Sequence, residues 1–106
     1  MINETHDTYQ YLKPKSDTFS KSDLVIPHKR PIDIVIELDH FKAVSNSLLG
    51  LLLDLNKDQN SKGYCLLVVK SDLTDFSKQD SLIIVPTLGE AEDYIQMEMI
   101  QRDLRV

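Results

Sequence analysis

Ser45-Asn46-Ser47 stand in a row directly before the apolar run Leu48-Leu49-Gly50-Leu51-Leu52-Leu53-Asp54-Leu55. Hydroxyl and amide oxygens accept hydrogen bonds from the N–H groups that the first turn of a helix leaves free. One of the three is therefore expected to be an N-cap. The two hydroxyls, Ser45 and Ser47, are also places where a phosphate would meet the positive end of a helix dipole. Capping accounts for these residue types more simply than phosphorylation does. Upstream, Asp39-His40 sets a carboxylate beside an imidazole, a pairing used in acid–base chemistry. Neighbours on a strand point to opposite faces, so the two are expected to diverge in a solvated turn. Gly50 falls on the polar arc of the helix, where glycine costs about 1 kcal/mol relative to alanine. Such a glycine fits a site where a partner, or a loop of the same chain, approaches the backbone.

The other reactive residue types form no motif. His6, His28 and His40 lack metal-ligand spacing. Asp72, Asp75 and Asp80 lack the glycine and the terminal glutamate of a calcium loop. Cys65 is the only cysteine and lies inside an apolar run, so it reads as a buried, inert thiol. No catalytic constellation, cofactor motif or metal site is legible, and the chain reads as a non-enzyme.

These residues need elements to hold them. The polar triplet opens a helix expected over 45–61, with Leu48, Leu52 and Leu55 as its apolar stripe. From Asn56 on the residues are polar all round, so the last turns are expected to surface into solvent. Lys62-Gly63 marks the end, a cation followed by a C-cap glycine. Upstream, Ile32 to Leu38 alternates as a strand, with Ile32, Ile34, Ile36 and Leu38 on one face. Asp33, Val35 and Glu37 take the other, read as a face partly exposed near one end. Tyr64 to Lys70 is a near-continuous apolar run, as in a strand covered on both faces. Leu82 to Val85 is a short buried strand.

Thr87-Leu88-Gly89-Glu90 is a capping-box pattern that opens a final helix. Its stripe is Leu88, Ala91, Ile95 and Met99, with Tyr94, Ile100 and Leu104 alongside. Tyr94, Met97 and Met99 read as core and surface of this helix, and a methionine-rich face also suits docking. Thr8 to Leu12 is rich in β-formers and reads as the first strand. Residues 1–7 are read as a flexible tail, residues 16–30 as an irregular connection and 71–81 as a polar stretch, each of the latter two with room for one helical turn.

The expected order is β-β-α-β-β-α, a single domain over residues 8–106. Its α/β fold is a mixed, mostly parallel four-stranded sheet with helices packed on it. The 106 residues carry a net charge of −5 with no basic cluster, which argues against nucleic acid as a partner. The apolar runs are far short of a membrane span, and the N-terminal sequence lacks the positive and apolar regions of a signal peptide. A cytoplasmic location is expected.

In the segments Val44 to Gly50 and Ile84 to Ala91 the chain resembles the STAS fold of bacterial anti-sigma-factor antagonists and transporter tails. The family pattern there is a strand, then Ile-Asp-Ser-Ser-Gly-Leu-Gly, a leucine-rich helix, glycine and another strand. The resemblance runs from about residue 32 to 104 and is nearest to small stand-alone STAS-like proteins of unsettled function. Some of these carry the name ribonuclease Z, a metallohydrolase whose His-x-His-x-Asp-His motif has no counterpart here. In the antagonists the partner kinase phosphorylates the serine after the aspartate. Asn46 occupies that position, Ser45 replaces the aspartate and Leu48 replaces a glycine; Ser47 and Gly50 keep the family residue.

The resemblance implies a regulatory domain that binds a protein partner through Asp39, His40, Ser45, Asn46, Ser47 and Gly50, without the phospho-switch. The alternative is a small-anion or nucleotide-binding module at the same strand–helix junction. A weak homodimer is expected through Thr8 to Leu12 as an unpaired sheet edge, enlarged by Tyr9 and Tyr11.

Overall fold

The computed structural model describes residues 2–6, 8–15, 32–41, 45–71 and 82–104. The expected connection at 16–30, helical turn at 71–81 and acidic loop of Asp72, Asp75 and Asp80 lie outside these residues, apart from Ser71. The elements are β1 (Ile2–Thr5), β2 (Tyr9–Lys13), β3 (Asp33–Glu37), α1 (Asn46–Ser61), β4 (Leu66–Val69), β5 (Ile83–Val85) and α2 (Leu88–Leu104). They form one five-stranded sheet in the order β1-β2-β3-β4-β5. β1 pairs antiparallel with β2, and every later pair is parallel.

The α/β class and the mixed, mostly parallel sheet agree with expectation, but the sheet has five strands rather than four. The extra strand comes from the segment read as a tail. Ile2-Asn3-Glu4-Thr5 is short and polar at three of its four positions, so its pattern is weak. It is a strand because Thr5 faces Gln10 and Ile2 faces Lys13 in a hairpin with β2. The hairpin also corrects the expected edge: β2 is internal, and the sheet ends at β1 and β5. Tyr9 is buried, and its hydroxyl donates to Glu92 Oε2 at 3.2 Å.

Strand alternation divides the core in two. Leu12, Ile34, Ile36, Leu66 and Val68 face α1 through Leu48, Leu52 and Leu55. Tyr9, Val35, Leu67 and Val69 face α2 through Ala91 and Ile95. Each fully buried leucine of α1 contributes about 2 kcal/mol through its apolar area. The face of Asp33, Val35 and Glu37 is open near one end only: Asp33 and Val35 are buried, and Glu37, the last residue of β3, is half-buried.

Three helix ends follow the sequence closely. Ser45 is the N-cap of α1, its Oγ accepting from Leu48 N at 3.1 Å. Gly63 (φ +82°) closes α1, with Gly63 N donating to Asn60 O and Tyr64 N to Gln59 O. That pair of bonds is a Schellman closure, which requires a left-handed residue and so favours glycine. Thr87 Oγ1 accepts from Glu90 N at 3.2 Å and opens α2.

The last turns of α1 surface as expected at Lys57, Asp58, Asn60, Ser61 and Lys62, but not on the side that faces the sheet. Asn56 and Gln59 are buried. Gln59 continues the stripe of Leu52 and Leu55 at helical spacing, and its amide has partners on the sheet. Gln59 Nε2 donates to Ile32 O at 2.7 Å and to Cys65 O at 3.2 Å. α2 departs in the opposite sense: beyond Ile95 its apolar residues leave the core, and Met97, Met99, Ile100 and Leu104 are exposed.

Candidate functional site

The junction expected to carry function lies where β3 and β4 end. Leu38 N donates to Val69 O and extends the β3–β4 pairing by one bond, and a turn at Asp39-His40 follows. Asp39 and His40 are both exposed and do diverge. Asp39 Oδ1 accepts from Ser71 N at 2.8 Å and from Ser71 Oγ at 2.6 Å. These bonds hold its carboxyl below the ordinary aspartate pKa, led by the Ser71 hydroxyl and then the Ser71 amide. His40 turns the other way: Nε2–H donates to the Pro14 carbonyl, and the ring lies 4.4 Å from that of Phe41. The two side chains tie the turn to two different loops and share no proton path.

Residues 42–44 lie outside the described residues, so Val44, the first residue of the family-like segment, has no structural account. Beyond them Ser45 is half-buried and engaged as a cap, whereas Asn46, Ser47 and Gly50 are exposed. A Cβ added at Gly50 would meet nothing within 4 Å. Among the described residues no loop requires glycine at this position, and the helix backbone is open to them on that side.

The junction also holds a residue to which the sequence reading gave no role. Lys70 directly follows β4, its side chain is buried, and Nζ donates to Phe41 O at 2.8 Å. A lysine closing an otherwise apolar strand run was the signal. Burial of an ammonium demands a partner, and the turn after β3 supplies a carbonyl.

At the opposite end of the same strands is a second polar cluster, also absent from that reading. Arg102 of α2 donates from Nη1 to Asp33 Oδ2 at 2.9 Å and from Nη2 to Asp33 Oδ1 at 2.7 Å. Asp33 Oδ1 also accepts from Cys65 N at 2.9 Å and from Cys65 Sγ at 3.2 Å. Arg102 sits 4.6 Å over the Tyr64 ring. Burial first, then the Asp33 charge, pushes the Cys65 thiol up to about 12. A thiol held protonated is a poor nucleophile. A cleft of about 210 Å³ adjoins this cluster, lined in part by Tyr64, Tyr94, Glu98 and Arg102. The Arg102 bonds close α2 onto the sheet, and the Cys65 bonds join the start of β3 to the residue before β4.

No known family model matches the chain, and no curated protein is significantly similar to it. Among the described residues, no group of three or more His, Cys, Asp or Glu side chains is placed to hold a metal ion. No helix of the described residues is long and apolar enough to cross a membrane.

Proposed function

We propose that this chain is a non-enzymatic STAS-like regulatory domain that works in the cytoplasm and binds a protein partner through the start of α1 and the adjoining Asp39-His40 turn. The observation that carries the reading is Gly50. It costs helix stability, is exposed, and has no neighbour among the described residues that needs the space. A partner that approaches the backbone there gives the glycine a reason. Asn46 and Ser47 flank it with uncharged polar groups on the same open turn.

Asn46 stands where the resemblance places a phosphorylated serine. An asparagine has no hydroxyl to modify, and its size and polarity are near those of the unmodified residue. The domain is thus held in its partner-binding form and is regulated through abundance or through the partner. The test is affinity purification from the native cell with the wild type, Asn46→Asp and Gly50→Ala in parallel. A partner retained by the wild type and depleted by both variants supports the reading. Equal recovery on all three, or phosphate at high occupancy on Ser45 or Ser47, overturns it.

A second reading, anion binding at the same junction, is favoured by the Lys70 ammonium, buried where β4 ends and held by the Phe41 carbonyl. A thermal-shift screen with phosphate and nucleotides separates the two, since a ligand of the native state raises the melting temperature.

A further inference from the structure

α2 carries on one arc two kinds of surface that the described residues of its own fold do not use. Met97, Ile100 and Leu104 follow helical spacing and are 58%, 56% and 80% exposed. Glu90 and Asp93 continue the same arc toward the N-terminus and are also exposed. Exposed single apolar residues are ordinary; three on one arc of one helix form a stripe. The described charges exposed along α2 are carboxylates: Glu90, Glu92, Asp93 and Asp103. The described cation of the helix, Arg102, is turned inward and held by Asp33.

We infer that this arc is a second interaction surface, separate from the α1 junction, whose occupant is a basic amphipathic helix of another protein. The apolar stripe takes the partner's apolar face, in the manner of helix-on-helix recognition. The carboxylates upstream take its lysines or arginines, which fixes direction along α2 and speeds encounter. A second copy of this chain fits poorly. In antiparallel pairing Asp93 would lie against Leu104 and lose its water without gaining a cation. In parallel pairing Glu90 and Asp93 would each face their own copy. The net charge of −5 adds repulsion at longer range.

The experiment titrates the intact chain with a synthetic Leu/Lys amphipathic peptide of about five helical turns, followed by fluorescence anisotropy at low and high salt. A Leu/Glu peptide of the same pattern and a scrambled Leu/Lys peptide are the controls. The expected result is saturable binding of the Leu/Lys helix alone, weakened about tenfold or more by Met97→Ser/Ile100→Ser. Glu90→Gln/Asp93→Asn should weaken it less and flatten its salt dependence. Both variants change exposed positions, and urea unfolding verifies that they fold. Three results would overturn the inference. They are no saturable binding, binding equal in the wild type and the Met97→Ser/Ile100→Ser variant, or a wild-type dimer in sedimentation that the same variant abolishes.

Discussion

Asp33 and Arg102 meet through two hydrogen bonds, 2.7 and 2.9 Å long, between the first residue of β3 and the last turn of α2. The carboxylate is buried, and the guanidinium is about one-fifth exposed. The bonds to Asp33 push the arginine's pKa further up. Removing one member strands the other. Arg102→Ala should therefore cost about 3 kcal/mol, measured by urea unfolding. Asp33→Ala removes in addition the acceptor of the Cys65 amide, so its cost should match or exceed that. The double variant should lose clearly less than the sum, because the two share one interaction. Additive costs would show that the pair contributes little.

Cys65 gives the protein an alkaline limit. Its thiol is pushed up to about 12 in the fold, from an ordinary value of 9.0. Below 9 both the folded and unfolded chains keep the proton. Between 9 and 12 the unfolded chain releases it and the folded one does not, so stability falls by about 1.4 kcal/mol per pH unit. Tyr9, raised to about 12 from 10.0 chiefly by burial and next by Glu92, adds to the loss above pH 10. Urea midpoints taken from pH 7 to 11 should show this decline, and Cys65→Ala should remove its first part. An equal slope in that variant would assign the decline to other groups. The same burial predicts slow reaction of Cys65 with a thiol reagent at pH 8, and rapid reaction in denaturant.

Gln59 ties the end of α1 to the starts of two strands. Its amide donates to Ile32 O and Cys65 O. Gln59→Ala leaves the two carbonyls without that donor and should cost about 1–3 kcal/mol. Gln59→Glu should cost more at neutral pH, since an ionised carboxylate faces the carbonyls instead of a donor, and should recover part of the loss at acid pH. Equal stability of the two variants across pH would refute the role given to the amide.

The α1 start should separate stability from binding. Gly50→Ala should stabilise by about 0.5–1 kcal/mol, since a Cβ there meets open space. Ser45→Ala should destabilise by about 1 kcal/mol through loss of the cap. Ser47→Ala should be near neutral, because Ser47 is exposed. Thermal unfolding of the three variants orders them, and a destabilised Gly50→Ala would mean that the helix needs its glycine for the fold itself.

Patterns within single elements decided much of this protein from sequence alone. The α1 stripe, its Ser45 cap, the Gly63 closure and the Thr87 start were legible because each depends on residues within a turn or two of one another. So were the alternation of β3 and the buried run of β4, which follow from the two-residue repeat of a strand. Tertiary structure decided what lies between elements. Ile2–Thr5 becomes a strand because β2 offers it a partner, and no local periodicity announces that. Gln59 and Asn56 are buried because the α1 stripe continues over the sheet, although their residue type reads as surface. Asp33 is buried because Arg102, distant in the chain, arrives on α2 to neutralise it. Lys70 turns inward because the carbonyl of Phe41 is there to receive its ammonium. The cost of burying a polar group is fixed by its type, but the partner that offsets it comes from another element, and only the folded arrangement brings the two together.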